Sequence, residues 1–408
     1  MSLKGYKASI IVDNPILMDG RVLKQAYALS SAGIEVLVLG YDDENLTGDS
    51  DYIELETKHP FRIVLCKRDY IHPASVDRIE KSGVSDIWYH LNILNARINP
   101  KVIKKLFFSK LQLECLLDFK PDLIHSCDVT TLWTGVRAAE ICEAKLIYDS
   151  HELFSGYFKS PIVQFVSNCI ERRCIASSDG VITVSNQISE CLKQRYKLPT
   201  SPTVLYNSPP FKDVSYQKTG TPVQILMQGA MRPDSREDLA ITAMQYLQGR
   251  ARLTIQGGAS ANNKTYFDSL ESLVLDLGLS DSVQLTGKFD PEETVSEASN
   301  FDLGLILFDP KVKNHQYTLS NRFFVYMMAG VASLASACRP YADFPEFDRI
   351  GRIVCTKSAK SLADDIACLI SQREEIESMK EYSLEMTKLY SWEIQSDKYL
   401  TLCKELLS

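Results

Sequence analysis

Short apolar runs alternate along this chain with stretches of helical spacing. Residues 7–12 (KASIIV) make an apolar run of strand length, and 19–31 follow with Val22, Ala26 and Leu29 on one helical face. Gly33 stands where that helix must stop before a second strand run at 34–39. A strand, a helix and a strand in this order predict a parallel pair. The alternation continues with strand runs at 62–66, 122–125, 145–149 and 181–184, and with helical patterns at 99–118, 131–142 and 160–177. At 205–211 (LYNSPPF) adjacent prolines and polar residues interrupt it, as a linker does. A second series then opens, with strand runs at 224–228, 252–256, 283–286, 302–307, 332–335 and 352–355. Helical patterns at 236–248, 262–277, 320–329 and 358–371 separate them, and 390–407 close the chain as one amphipathic helix.

Two such series predict an α/β protein of two doubly wound, Rossmann-like domains. The first spans residues 1–206 and the second 207–389, with the final helix at 390–408. Ligands in open α/β sheets bind outside the carboxyl ends of the strands, so chemistry is expected at strand ends, in a cleft between the domains. Composition agrees: 408 residues exceed one ordinary core, and 45% apolar with 24% charged residues suits a soluble globular protein. A net charge of −7 counts against nucleic acid as a partner. The eleven cysteines are scattered and form no C-x-x-C pair, which predicts reduced thiols rather than disulfides or a structural zinc site. No apolar run is long enough to cross a bilayer and the start lacks a signal-peptide pattern, so a cytoplasmic protein is expected.

Candidate chemistry gathers at strand ends. After the run at 302–307, residues 314–330 (NHQYTLSNRFFVYMMAG) read as a loop feeding a helix, with Thr318 or Ser320 as N-cap and Gly330 as the left-handed C-terminal residue. A helix starting behind a buried strand offers free N–H groups and a positive dipole end, which suits phosphate. Asn314, Leu319, Ser320, Asn321 and Arg322 would face it, Arg322 adding a charge. Gly229, in 227–232 (MQGAMR), would let the backbone approach a diphosphate. Gly257 marks either a second close approach or simply a turn. Upstream, 148–152 (YDSHE) and Asp128 crowd two acids and a His at strand ends. Either they act on a ligand or they cap the following helix. Asp149 and Glu152 lie too close in sequence to flank a bond as a hydrolase pair. Arg21, near the start of the first helix, stands either at the mouth of the cleft to meet phosphate or an acidic group, or in solvent.

These segments resemble the retaining glycosyltransferases of the GT-B architecture (glycosyl transferase group 1, family 4-like). Residues 319–330 (LSNRFFVYMMAG) are similar to that family's Leu-Pro-Asn-Lys-Leu-Phe-Glu-Tyr-Met-Ala-Ala-Gly signature, Asp19-Gly20-Arg21-Val22 to its Asp-Ser-Arg-Val opening, and 286–289 (TGKF) to the loop that meets the nucleotide base. The resemblance spans nearly the whole chain. It implies a nucleotide-diphosphate sugar as co-substrate, no metal and no cofactor, and transfer to a saccharide or lipid-linked acceptor hydroxyl, with bacterial surface polysaccharide or glycolipid synthesis as the setting. It further implies that His151, Asp128 and Arg21 serve catalysis. The donor would meet Gly229, Arg232, Arg236, Gly257, Lys288, Phe289, Asn314, Leu319, Ser320, Asn321, Arg322 and Val325. The final helix would cross back onto the first domain.

Three departures stand out. Val325 occupies the place of the family's ribose-binding glutamate, Cys127 that of a histidine, and the arginine after the Gln-Gly turn lacks its following glycine. They keep open a degenerate, non-catalytic binding protein. An epimerase of the same build is disfavoured by the 319–330 signature, and an NAD enzyme by the absence of G-x-G-x-x-G after a strand. Lys101, Lys104, Lys105 and Lys110 interleave with Val102, Leu106, Phe107 and Phe108. That face would make a weak peripheral contact with anionic lipid, though a solvated helix face is preferred, such surfaces being common.

Overall fold

The structure is a computed structural model that describes residues 3–42, 51–70, 107–153, 161–258, 264–287, 290, 292–309 and 311–408. Element numbers below count the described residues only. The chain divides into two compact units, one of Met1–Leu205 with Ser396–Ser408, the other of Tyr206–Gln395. The boundary falls at the start of the proline-rich 205–211 stretch.

In the first unit the strands are β1 (Lys7–Ile11), β2 (Glu35–Tyr41), β3 (Tyr52–Glu54), β4 (Arg62–Cys66), β5 (Leu123–Cys127), β6 (Lys145–Ser150), β7 (Gly180–Thr183) and β8 (Thr203–Val204). They form one sheet in the order β3-β4-β2-β1-β5-β6-β7-β8. Every pairing is parallel except β3 with β4. The helices are α1 (Gly20–Ser31), α2 (Lys110–Phe119), α3 (Asp128–Cys142), α4 (Pro161–Cys174) and α5 (Asn186–Tyr196). Strand order turns back between β1 and β5, which makes their carboxyl ends the topological switch point.

The second unit repeats the plan with β9 (Val223–Gln228), β10 (Ala251–Gln256), β11 (Val283–Thr286), β12 (Leu303–Ile306), β13 (Ala332–Ser336) and β14 (Gly351–Val354). All are parallel, in the order β11-β10-β9-β12-β13-β14, with the switch between β9 and β12. Its helices are α6 (Glu237–Met244), α7 (Lys264–Asp276), α8 (Thr294–Ala298), α9 (Asn321–Met328), α10 (Arg339–Ala342), α11 (Phe347–Ile350), α12 (Ala359–Ser371) and α13 (Arg373–Tyr390). The last helix, α14 (Trp392–Leu407), starts in the second unit and ends in the first.

The expected strand runs appear within about two residues at each end because parallel strands between helices are buried on both faces and read as continuous apolar runs. The short strands β3 and β8, at opposite edges of the sheet, were not foreseen. All three residues of β3 are exposed, so it carries no apolar pattern, and β8 has only two residues. Helices α5, α8, α10, α11 and α13 were also missed. In α13 the buried stripe Ile376, Met379, Ser383 and Met386 has helical spacing, but it is diluted by charged residues.

One of those residues is Lys380, which is buried and places its Nζ 2.7 Å from Asp302 Oδ1. Asp302 Oδ2 accepts the backbone N–H groups of Gly220 (3.2 Å) and Gln224 (2.9 Å), so a single carboxylate ties α13 to the entry of β9 and the start of β12. Lys380→Met would leave that carboxylate buried without a cation. It is expected to lower the unfolding free energy by about 3–5 kcal/mol, measured by denaturant titration; a loss under about 1 kcal/mol would show that the pair does not hold the helix.

Candidate active site

In the first unit the side chains near the switch point converge on Asp149, at the end of β6. Its carboxylate is fully buried and takes a two-pronged hydrogen bond from Arg21, with Nε to Oδ2 at 3.0 Å and Nη2 to Oδ1 at 2.9 Å. Gln25, one helical turn beyond Arg21, donates to the same Oδ2 at 2.8 Å. His125 Nε2 lies 3.2 Å from it and His151 Nε2 also 3.2 Å. Burial would raise the Asp149 carboxyl, yet Arg21, His151 and His125 hold it well below the usual range.

Arg21 reaches Asp149 because of its place in α1. Asp19 caps that helix by accepting the Val22 N–H (3.2 Å), and is itself held by the Asn14 amide (2.8 Å). The arginine therefore leaves the first turn pointing inward, where Nη1 also donates to the Leu205 carbonyl at 2.8 Å. At 3% exposed, Arg21 is not at an open mouth as one reading of the sequence expected, nor is it in solvent. An arginine in a first turn opposes the helix dipole, and here a buried carboxylate offsets that cost.

His151 and Asp128 stand at the rim of this network. Asp128 opens α3 at a left-handed φ of 64° and accepts the His151 backbone N–H at 2.9 Å. Its other oxygen is 3.5 Å from the His151 ring. Burial would lower His151, but Asp128 and Asp149 hold it well above the ordinary histidine value. Burial pushes Asp128 up to about 7, against the pull of His151. His125, deeper, is lowered by burial while Asp149 pulls it upward, and its Nδ1 meets the Tyr399 hydroxyl of α14 at 2.8 Å. The rim thus sets a histidine, held above its ordinary value, between two carboxyls, a group that can give or hold a proton. Asp128 does not cap α3: the N-cap is Cys127, with no side-chain cap bond.

In the second unit the loops after β9 and β10 touch. A side chain at Gly257 would meet the Gly229 carbonyl oxygen at 1.8 Å, so this glycine answers to the neighbouring loop. Gly229, at φ 132°, faces the Arg322 guanidinium, whose Nη2 lies 3.1 Å from where a Cβ would stand. Arg322 Nη1 is buried with no hydrogen-bond partner, and among the described residues no carboxylate pairs with the guanidinium. It lies 5.7 Å from the Phe308 ring centre. Arg232 and Arg236 are each drawn to a neighbour on their own turn, to Asp234 at 3.6 Å and Asp238 at 3.8 Å.

The start of α9 is partly occupied. Ser320 is the N-cap without a side-chain bond, and its N–H donates to the Tyr341 hydroxyl at 3.1 Å, so it does not offer the free amide expected of it. Phe323 N–H is taken by the Ser320 carbonyl. The Asn321 and Arg322 amides at this exposed end remain open among the described residues. Leu319 and Val325 are buried. Asn314 is buried too, accepting the Thr318 hydroxyl at 3.2 Å, and so shapes the loop. Lys288 and Phe289 lie outside the described residues, as does the basic stretch 101–106.

Sequence reasoning missed His125, Gln25 and Tyr399, and the His315–Asp234 contact of 3.0 Å. Signals existed for two of them: a histidine inside the buried run LIHSC, and a glutamine four residues after Arg21 on an otherwise apolar face.

Residues 21–208 match the family described as Glycosyltransferase Family 4. No curated protein matches the sequence. Among solved structures the chain is similar to HepE of Anabaena in complex with UDP and glucose, with TM-score 0.71 and 14% identity over 98% of this chain and 100% of that one. It is similar to sucrose-phosphate synthase of Thermosynechococcus elongatus, with TM-score 0.70 and 16% identity over 98% and 99%. It is similar also to a glycosyltransferase of Rickettsia africae, with TM-score 0.64 and 15% identity over 99% of each. At such identities the likeness is one of fold.

Two outcomes follow from the Asp149 network. Arg21→Gln strands a buried carboxylate and is expected to cost about 3–5 kcal/mol of stability by denaturant unfolding, where a surface arginine would cost almost nothing. The raised His151 adds stability that is complete below its ordinary value of 6.5 and fades as pH climbs through the raised value. Thermal melts across that alkaline range should show a decline of about 1 kcal/mol or more that His151→Gln abolishes; parallel curves for the two proteins would refute the pairing.

Proposed function

We propose, for a chain of GT-B fold whose residues 21–208 match Glycosyltransferase Family 4, that it moves a hexose from a nucleoside-diphosphate donor to an acceptor hydroxyl with retention and without a metal. The observation that carries this reading is Arg322: a guanidinium with a buried, unpartnered Nη1, set against Gly229 at the carboxyl end of β9. A guanidinium with no carboxylate bonded to it among the described residues, set beside bare backbone and reaching the buried Glu237 only through its charge, suits a diphosphate. The open amides of Asn321 and Arg322 add donors and the dipole of α9.

When the sugar–oxygen bond of the donor breaks, negative charge grows on the departing diphosphate. Fixed donors aimed at that charge lower the barrier without having to reorganise. The acceptor hydroxyl attacks the face that the diphosphate leaves and passes its proton to the departing phosphate oxygen. His151 and Asp128, at the rim of the first unit, would orient sugar or acceptor hydroxyls, with Asp149 and Arg21 holding His151 in place. HepE occurs with UDP and with UDP-glucose, which makes UDP the first nucleotide to try. A saccharide or lipid-linked acceptor in polysaccharide or glycolipid synthesis, on the cytoplasmic side of a membrane, completes the proposal. Among the described residues no helix is long and apolar enough to cross a membrane.

A second reading, a binding protein without turnover, is favoured by Val325, a buried valine on α9 with no acceptor to offer a ribose. Calorimetric titration with UDP, GDP, ADP and their sugars, with and without chelator, separates the two. Selective binding of one nucleotide, unchanged by chelator and weakened roughly 10- to 150-fold by Arg322→Ala, is expected. NMR of the product from a lipid-linked or saccharide acceptor should show the donor's anomeric configuration retained. Tight nucleotide binding with no product from any acceptor would leave the binding protein as the better reading. No binding at all would overturn both.

A further inference from the structure

A chain of amide side chains crosses the carboxyl ends of β9 and β10. Gln228, the last residue of β9, donates from Nε2 to Gln256 Oε1 at 2.8 Å, and Gln256, the last residue of β10, donates from Nε2 to the Glu297 carboxylate on α8. Chemistry fixes the direction. An ionised carboxylate only accepts, so Gln256 must turn its NH2 to Glu297 and its oxygen to Gln228. Gln228 must then turn its own NH2 to Gln256. Its oxygen is left over, and Gln228 Oε1 is indeed buried without a partner in a residue 2% exposed. Each bond in the chain polarises the next, so the negative charge of Glu297 makes Gln228 Oε1 a stronger acceptor than an isolated amide.

The place of this acceptor says what it meets. Gln228 directly precedes Gly229, the residue facing Arg322, and its own N–H donates to the Tyr326 hydroxyl of α9 at 2.9 Å. Consecutive Cα atoms are about 3.8 Å apart, so the backbone that carries this acceptor stands one residue from the proposed diphosphate cradle. In a nucleoside diphosphate the group joined to the diphosphate is the ribose, and its hydroxyls need acceptors. On α9, Val325, next in sequence to the Tyr326 that Gln228 bonds, has none. A buried acceptor without a partner costs about 1–3 kcal/mol, a cost that a ribose hydroxyl would remove.

We propose that Gln228 recognises a ribose hydroxyl of the donor through Oε1, with Gln256 and Glu297 as positioning residues that orient and polarise it. This rests on the donor-site reading above and assigns the sugar specificity of that site. The test is calorimetry on the full chain with UDP, GDP and ADP, their 2′-deoxy and 3′-deoxy counterparts, and inorganic pyrophosphate. Wild type is expected to favour the ribonucleotide over one deoxy form by roughly 3- to 10-fold. Gln228→Met should bring that ratio close to one while leaving pyrophosphate binding unchanged. Glu297→Gln, on a half-exposed helix position, should lower the ratio because the amide chain can then reverse. If Gln228→Met does not fold, Glu297→Gln carries the test alone. A ratio that survives in the folded variants overturns the proposal. Binding of pyrophosphate without any nucleotide also overturns it and leaves the diphosphate cradle standing, whereas no binding of either sinks the donor-site reading and this inference together.

Discussion

The first unit depends on one buried carboxylate. Asp149 sits at 0% exposure at the end of a central strand, where an unpaired charge would cost several kcal/mol. Its compensation comes from far apart in the chain: Arg21 and Gln25 from α1, His125 from β5, His151 from the loop after β6. Arg21 further binds the Leu205 carbonyl and His125 the Tyr399 hydroxyl, so the last residue before the unit boundary and the final helix are drawn into the same network. The site and the fold of this unit are therefore held by the same bonds. His151 and Asp128, the members left partly exposed, are the ones free to act on a ligand.

The second unit uses its arginine in the opposite way. Arg21 spends its hydrogen-bonding capacity inside the protein, while Arg322 keeps Nη1 unpartnered beside Gly229. The same side chain is structural where a carboxylate is bonded to it and available where its neighbours are backbone and an aromatic ring and the Glu237 carboxyl is reached only by charge. The surrounding packing keeps it so. Tyr326 presses its ring where Gly304 leaves room, a Cβ there coming within 2.3 Å, and its hydroxyl takes the Gln228 N–H. Phe308, the guanidinium's own aromatic neighbour, stacks on His315 at 4.2 Å, and His315 reaches Asp234. The polar groups beside Gly229 are thus set by aromatic rings that all follow β12, in its loop and in α9.

How much of this was legible depends on the range over which each interaction acts. The alternation of apolar runs and helical stripes comes from burial of strands on both faces and of helices on one, which is a local, periodic demand. It therefore marked nearly every parallel strand, the cap at Ser320 and the left-handed Gly330, whose φ is 66°. It could not mark β3, exposed on an edge, nor the charge-rich α13 whose Lys380 is buried only because Asp302 waits for it across the fold.

Residue chemistry was readable as type but not as role. The sequence by itself placed Arg21, Asp128 and His151 at element ends, and Gly229 and Arg322 beside strands, because turn and cap preferences are local. Only the tertiary structure decided that Arg21 is locked on Asp149 while Arg322 stays open, that Gly257 serves its neighbouring loop, and that two strand-end glutamines line up behind Glu297. The physical reason is that an ionic or amide group takes its function from what desolvates and pairs it. Those partners lie 128 residues away for Arg21 and 28 for Gln228, distances over which sequence carries no periodic trace.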